Sequence, residues 1–152
     1  MAILMLIGTQ TGNTEVVAEA VAQHLADAGA EVHYVDLADA YPEMFADYTQ
    51  LLIATSTWGD GELPDNALDF YDALTALQPD LAHLHYAILA LGDHTYDPHF
   101  CAAAHLFSDA LDALNAIKIY PDHQIDAGPG PRDLEIAKMW GLDVLKVFNA
   151  RP

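Results

Sequence analysis

The fold of this chain is decided by residues 2–14, which run AILMLIGTQTGNT. Residues 2–8 are a continuous apolar run, which predicts a β-strand buried on both faces of a sheet. Residues 13–28 then carry apolar side chains at helical spacing, and Gly29 predicts the end of that helix. The apolar stripe of this helix consists of Val16, Val17, Ala20, Val21 and Leu25. A buried strand that runs directly into a helix is typical of a βαβ unit.

Strand and helix patterns alternate through the rest of the chain. Further strands are predicted at residues 31–37, 51–57 and 86–91, with a last one at 117–120 that resumes at 124–125. A helix is predicted from Pro64, with the stripe Leu68, Tyr71, Leu74 and Leu77, and others at residues 101–114 and 133–148. A turn of undefined shape covers residues 39–47. This alternation predicts an α/β fold, a parallel sheet with helices on both faces, as one domain over residues 1–152.

Composition places the chain among globular proteins. Its 152 residues are 53% hydrophobic, which suits one domain with its own core. Because Cys101 is the single cysteine, an internal disulfide is excluded, and a reducing, cytoplasmic location is predicted. No apolar run reaches the roughly 18 residues of a membrane helix. The apolar residues 1–8 lack the basic flank of a signal peptide.

The charge balance is strongly acidic. Five Lys and Arg stand against 23 Asp and Glu, which gives a formal net charge of −18. This field repels nucleic acid and anionic membranes, so neither is predicted as a partner. It attracts partners with basic patches and accelerates their encounter. It equally keeps a protein soluble in a salty cytoplasm, and the sequence leaves these two compatible explanations open.

Three polar loops follow predicted strands, at the carboxyl end of the sheet where ligands bind in such folds. The first, Thr9-Gln10-Thr11-Gly12-Asn13-Thr14, leads into a helix whose first amides are unpaired and can bind an anion. It has no Lys or Arg and fits neither the P-loop nor the G-x-G-x-x-G pattern. A phosphate there would therefore be held by neutral donors. Simple capping of the helix by its Thr or Asn side chains is the alternative.

The second and third loops each contain an aromatic residue. Trp58 lies in Ser56-Thr57-Trp58-Gly59-Asp60-Gly61, and Tyr96 lies in Leu91-Gly92-Asp93-His94-Thr95-Tyr96. Two aromatic faces at neighbouring strand ends can clamp a planar ligand between them. The alternative is that each ring packs on its own part of the sheet.

These loops, in this order and spacing, resemble the three FMN-binding loops of flavodoxins and of the FMN domains of diflavin reductases. The resemblance is closest to small MioC-type flavodoxins, through Leu63-Pro64-Asp65-Asn66, Phe70-Tyr71-x-Ala73-Leu74 and the segment from Tyr96 to Cys101, and it covers nearly the whole chain. It implies a short-chain member of the family with a doubly wound, five-stranded parallel sheet in the order 2-1-3-4-5. Flavodoxin is the reference example of this strand order, and its FMN lies at the switch point between strands 1 and 3.

The resemblance also implies roles for individual residues. The FMN phosphate would be bound by Thr9, Gln10, Thr11, Gly12, Asn13 and Thr14. Trp58 and Tyr96 would stack on the two faces of the flavin ring. Contacts around the ring and its rim are implied for Ser56, Thr57, Gly59, Asp60, Gly61, Leu91, Gly92, Asp93, Phe100 and Cys101, and a contact with the flavin or its ribityl chain for Asp126. This sequence departs from the family pattern at two places. Trp58 stands where relatives often have Tyr or His, and the segment from Tyr96 to Phe100 is one residue longer than in the family pattern.

The function implied by the resemblance is electron transfer without a substrate of its own. Single electrons would pass from a separate NAD(P)H-dependent flavin reductase to acceptor enzymes with basic docking patches, and the protein would act as a monomer. The eight His are scattered without metal spacing, and Cys101 has no evident basic partner, so neither a metal site nor a catalytic residue is predicted. The main alternative is an FMN-dependent NAD(P)H:quinone or azo reductase. A receiver-type signalling domain fits less well, because the loops after strands 1 and 3 hold Thr and Trp instead of acidic residues.

Overall fold

The structure, a computed structural model, describes residues 2–8, 12–56, 65–92, 102–126 and 131–150. Its strands are β1 (Ile3–Gly8), β2 (Val32–Asp36), β3 (Gln50–Ser56), β4 (His85–Gly92), β5 (Ile117–Lys118) and β6 (His123–Asp126). Its helices are α1 (Gly12–Asp27), α2 (Asp65–Leu77), α3 (Ala102–Ala113) and α4 (Pro131–Ala150). Every strand and helix expected from the sequence is present, and the described boundaries agree with the predicted ones to within two residues.

The strands form one parallel sheet in the order β2-β1-β3-β4-β5, which confirms the predicted flavodoxin-like order. The last strand is divided: β5 pairs with the start of β4, and β6 pairs with its end. Between the paired positions, β4 has two residues (87–88) and the outer strand has four (119–122). Two surplus residues must leave the hydrogen-bonded ladder at this point, which explains why the strand stops after Lys118 and resumes at His123.

The two faces of the sheet carry separate cores. Side chains alternate along β1, so that Leu4 and Leu6 lie on one face and Ile3, Met5 and Ile7 on the other. The first face is covered by α2 and α3 and is called the α2/α3 face below; the second is covered by α1 and α4 and is called the α1/α4 face. A sheet buried on both faces explains why β1 and β3 are apolar runs without polar alternation.

Two helices are rotated relative to the stripes expected from the sequence. In α1, Val16 is 52% exposed, and Ala18 is buried together with Val17, Val21 and Leu25. In α2, Leu68 is 46% exposed and Leu77 52%, whereas Ala67, Phe70 and Leu74 are buried. Helical spacing alone permits either stripe, and packing against the sheet decides which one is buried.

The segment of undefined shape, residues 39–47, contains ordered 3₁₀ turns. One spans Leu37–Asp39 and the other Pro42–Asp47. The Asp36 carboxylate caps the first by accepting a hydrogen bond from the Ala38 amide at 2.8 Å. The two turns direct Leu37 and Phe45 into the core of the α2/α3 face, where both are buried.

Candidate functional site

Four strands end level with one another at the carboxyl end of the sheet. Gly8 pairs with Thr55, Ser56 with Leu91, and Gly92 with Asp126. Helix α1 begins at Gly12, four residues after β1 ends at Gly8, so its unpaired first amides and the positive end of its dipole lie at the same end. The structure thus gathers the attachment points of the predicted ligand loops around the β1–β3 switch point.

The predicted site residues fall into two groups. Those within the described chain lie at element ends: Gly12, Asn13 and Thr14 open α1, Ser56 ends β3, Leu91 and Gly92 end β4, and Asp126 ends β6. The structure therefore brings the backbone of these seven residues to one end of the sheet. The remaining predicted residues lie outside the described residues: Thr9, Gln10, Thr11, Thr57, Trp58, Gly59, Asp60, Gly61, Asp93, Tyr96, Phe100 and Cys101.

A close packing contact that the sequence did not reveal lies beneath these loops. A Cβ atom on Gly8 would lie 2.7 Å from Leu37 Cδ1, 3.2 Å from Ala67 Cβ and 3.4 Å from Thr55 Oγ1. A side chain at this position would require its neighbours to shift, whereas glycine fits without rearrangement. The signal available in the sequence was a glycine that ends a strand of otherwise bulky residues.

Positive charge is nearly absent from this end of the molecule. The first 117 residues contain no Lys or Arg. The described lysines pair with carboxylates close by in sequence: Lys118 with Asp122 at 2.9 Å, Lys138 with Glu135 at 3.3 Å, and Lys146 with Asp143 at 4.0 Å. Within the described ranges, Arg132 in the first turn of α4 is the one Lys or Arg at the carboxyl end of the sheet. A phosphate between β1 and α1 is therefore left to neutral donors and the helix dipole.

Two titratable side chains near these elements have shifted pKa values. Burial, with contributions from Glu19, Glu15 and Asp36, raises the pKa of Tyr34 to about 12, which reflects the acidic surroundings of α1. Burial lowers the pKa of His123, which stacks on Trp140 with ring centroids 6.1 Å apart and lies three residues before Asp126. Among the described residues, no group of three or more His, Cys, Asp or Glu side chains could hold a metal ion.

Comparison with known proteins supplies the family. The family model for flavodoxin matches residues 6–141. The chain belongs to the flavodoxin family. A relative of nearly the same length is flavodoxin YqcA of Pectobacterium carotovorum subsp. carotovorum, which is 36% identical over 138 residues, 90% of this chain and 89% of that protein. The predicted membership of this family is confirmed.

A second group of relatives is much longer than this flavodoxin. The sulfite reductase [NADPH] flavoprotein alpha-component of Bacillus subtilis is 36% identical over 148 residues, which are 97% of this chain but 24% of that protein. The chain therefore spans about a quarter of the length of these relatives. Among solved structures, oxidised flavodoxin 2 of Bacillus cereus superposes with a TM-score of 0.87 at 28% identity, covering 96% of this chain and 99% of that one.

The family also identifies the cofactor. Flavodoxins bind FMN and carry electrons, and the FMN prediction is confirmed. The described residues fit this cofactor, because the unpaired amides and the positive dipole end at the start of α1 suit its phosphate. In the described parts of the chain, no helix has both the length and the apolar character needed to cross a membrane.

Proposed function

We propose that this flavodoxin is a monomeric, single-domain, cytoplasmic carrier that takes single electrons from a separate NAD(P)H-dependent flavin reductase and passes them to acceptor enzymes. The observation that supports it best is the level ending of β1, β3, β4 and β6 beside the start of α1. This arrangement provides a binding place for one flat anionic cofactor.

In this proposal the chain binds and orients FMN through three loops. Thr9 to Thr14 donate neutral hydrogen bonds to the phosphate at the N-terminus of α1. Trp58 and Tyr96 stack on the two ring faces and exclude water from them. The remaining ring and ribityl contacts are assigned to Ser56, Thr57, Gly59, Asp60, Gly61, Leu91, Gly92, Asp93, Phe100, Cys101 and Asp126. When bound, FMN supplies the electron-accepting and electron-donating chemistry, and the chain sets its position and surroundings.

The source of electrons is inferred from the relatives. The longer relatives are components of an NADPH-dependent sulfite reductase, which supports a donor that draws on NADPH. In this proposal the nicotinamide site belongs to a separate reductase.

Charge supports a docking surface at the carboxyl end. Described carboxylates in this region include Glu15 in the first turn of α1 and Asp39 after β2, with Asp36 at the end of β2. No Lys or Arg lies on any of these elements, so the charged side chains that they contribute to this end are acidic. A partner with a basic patch would be drawn to this end and brought within reach of the flavin.

The function is tested with the purified protein loaded with FMN, NADPH, a flavin reductase and ferric cytochrome c as a one-electron acceptor. Cytochrome reduction should require both the flavodoxin and the reductase, with little NADPH oxidation when the reductase is omitted. Sustained NADPH oxidation by the flavodoxin alone in the presence of a quinone or azo dye would instead establish the reductase alternative.

The proposed ring site is tested with the two tryptophans as a matched pair. Trp58→Ala should weaken FMN binding about tenfold, because it removes one stacked face. Trp140→Phe alters the tryptophan on the α1/α4 face and should leave FMN affinity unchanged. Fluorescence quenching of FMN measures both dissociation constants. Equal affinities in Trp58→Ala and wild type would remove Trp58 from the site.

The proposed steering is tested separately by ionic strength. Transfer to a basic acceptor should slow as salt is raised through the range in which the Debye length falls from about 10 Å to about 3 Å. A rate that does not change with salt would leave solubility as the explanation of the charge.

A further inference from the structure

We propose that Gly8 is a positioning residue that couples the phosphate loop, residues 9–14, to the ring loop, residues 57–64. The proposal rests on the FMN site proposed above. In it, the missing Cβ of Gly8 sets how closely the end of β1 lies to the end of β3 and the start of α2, the described elements that carry these loops.

The direction of Gly8 follows from strand alternation. Leu4 and Leu6 point to the α2/α3 face, and position 8 points the same way because side chains on a strand alternate. The space that a side chain would need is already filled by Leu37, Ala67 and Thr55. Gly8 itself is the residue immediately before the phosphate loop.

The neighbours of Gly8 flank the ring loop on both sides. Thr55 lies on β3 two residues before that loop starts, and Ala67 is the third residue of α2, which begins as the loop ends. Both are buried, with Thr55 1% and Ala67 0% exposed. Gly8, which precedes the phosphate loop, pairs with Thr55 on β3 and leaves no space for a Cβ beside Thr55 and Ala67, which flank the ring loop. A side chain at position 8 is therefore expected to displace the ends of both elements.

The third neighbour, Leu37, has little room to move away from a side chain added at position 8. Leu37 is buried in the core of the α2/α3 face and belongs to the 3₁₀ turn that Asp36 caps. A close-packed core offers few alternative rotamers for such a side chain, so an added methyl group at position 8 would force Leu37 or its neighbours to shift. Backbone conformation is not the reason for glycine at this position, since among the described glycines only Gly29 has a positive φ.

The test is Gly8→Ala, with FMN and riboflavin as probes of the wild-type and variant proteins. Riboflavin lacks the phosphate and reports on the ring loop alone. Coupling predicts that the dissociation constants of both ligands rise about tenfold, as expected for overpacking by one methyl group. If FMN binding weakens and riboflavin binding does not, the two loops are independent and the coupling is wrong. If neither changes, Gly8 has no positioning role.

A second variant distinguishes a steric effect of Gly8→Ala on FMN binding from a general loss of protein stability. Leu37→Val removes the Cδ1 atom nearest to the new methyl group, so Gly8→Ala in the Leu37→Val background should bind FMN within about twofold of Leu37→Val alone. This pair also gives a result if Gly8→Ala alone does not fold. A tenfold loss that persists in this background would contradict the packing argument.

Gly29→Ala is the matched control at the other end of the sheet. Gly29 has a φ of 97° and nothing within 4 Å of its Cβ position, so alanine there strains the backbone without touching either loop. It should lower the melting temperature by about 3–6 °C and leave both dissociation constants unchanged. A wild-type protein that binds both flavins but fails to reduce cytochrome would overturn the proposed function and leave this comparison of affinities valid.

Discussion

The two faces of the sheet are built differently. On the α1/α4 face, the helices pack on each other and on the sheet through apolar side chains, and Gly141 allows the closest approach, to Val21. On the α2/α3 face, the core includes the Tyr86 hydroxyl, which donates a 2.6 Å hydrogen bond to Asp112. Both buried polar residues of the described chain, Thr55 and Ser108, lie on this side of the sheet.

Because of this difference, we expect both faces to contribute to stability and only the α2/α3 face to help position the cofactor. The stability of the α1/α4 face depends on how well the side chains of the two helices fit together. Neither helix adjoins the ring loop in the chain. The α2/α3 face includes α2, which begins where the ring loop ends. It also includes the 3₁₀ turn that carries Leu37, whose side chain fills the space beside Gly8. We therefore expect equal damage to the two cores to have unequal effects on FMN binding.

The largest expected effect comes from one buried phenylalanine on each face. Phe148→Ala on α4 and Phe70→Ala on α2 should each lower the free energy of unfolding by about 3–5 kcal/mol, since both side chains are buried. Urea denaturation of the apoproteins measures this loss. Only Phe70→Ala should also weaken FMN binding, because α2 holds the end of the ring loop. Similar FMN affinities in the two variants would break the comparison.

A smaller effect is expected at the contact between α1 and α4. A Cβ on Gly141 would lie 2.8 Å from Val21 Cγ1, and overpacking of this kind costs about 1–3 kcal/mol. The gain in helix propensity from glycine to alanine is about 1 kcal/mol, so Gly141→Ala should be destabilising overall. In a Val21→Ala background the clash is gone and the same substitution should stabilise the protein. Urea midpoints of the four proteins test this reversal of sign.

The hydrogen bond between Tyr86 and Asp112 on the α2/α3 face should contribute less to the free energy of unfolding. Tyr86→Phe removes the hydrogen bond to Asp112 and should cost about 1 kcal/mol at neutral pH.

Burial and the contact with Asp112 raise the pKa of Tyr86 above the ordinary tyrosine value of 10.0. The unfolded state therefore releases this proton first, so that stability is complete below pH 10 and falls as the pH rises further. Tyr34, with a pKa of about 12, acts in the same direction. Urea midpoints between pH 8 and 11 should fall less steeply in Tyr86→Phe; an unchanged slope would contradict this assignment.

The smallest expected effect is at the rim of the α1/α4 face. Burial lowers the pKa of His123 from its ordinary value of 6.5, so the unfolded state binds the proton more readily. The stability contributed by neutral His123 is present above pH 6.5 and is lost as the pH falls below it. His123→Phe keeps a ring against Trp140 and should flatten the decline in stability between pH 6.5 and 5. A decline equal to that of wild type would assign it to other groups.

Local pattern predicted the order and type of the elements. The apolar runs at β1, β3 and β4 could be recognised because a strand buried on both faces has no polar alternation. The helix stripes were less well predicted: Leu68 fits helical spacing as well as Ala67 does, and only contact with the sheet decides which one is buried. The 3₁₀ turns after β2 were missed because their stability depends on Asp36 capping and on burial of Leu37 and Phe45.

For the candidate site, the sequence by itself predicted which residues meet FMN, because the three loop motifs stand in a fixed order along a βαβ pattern. Tertiary structure alone decided which elements meet beneath them. The space beside Gly8 is filled by Leu37, Thr55 and Ala67, so that positions up to 59 residues apart in the chain, from 8 to 67, meet there. No local pattern encodes such a distance, since it depends on the register of β1 against β3 and on how closely α2 packs on the sheet.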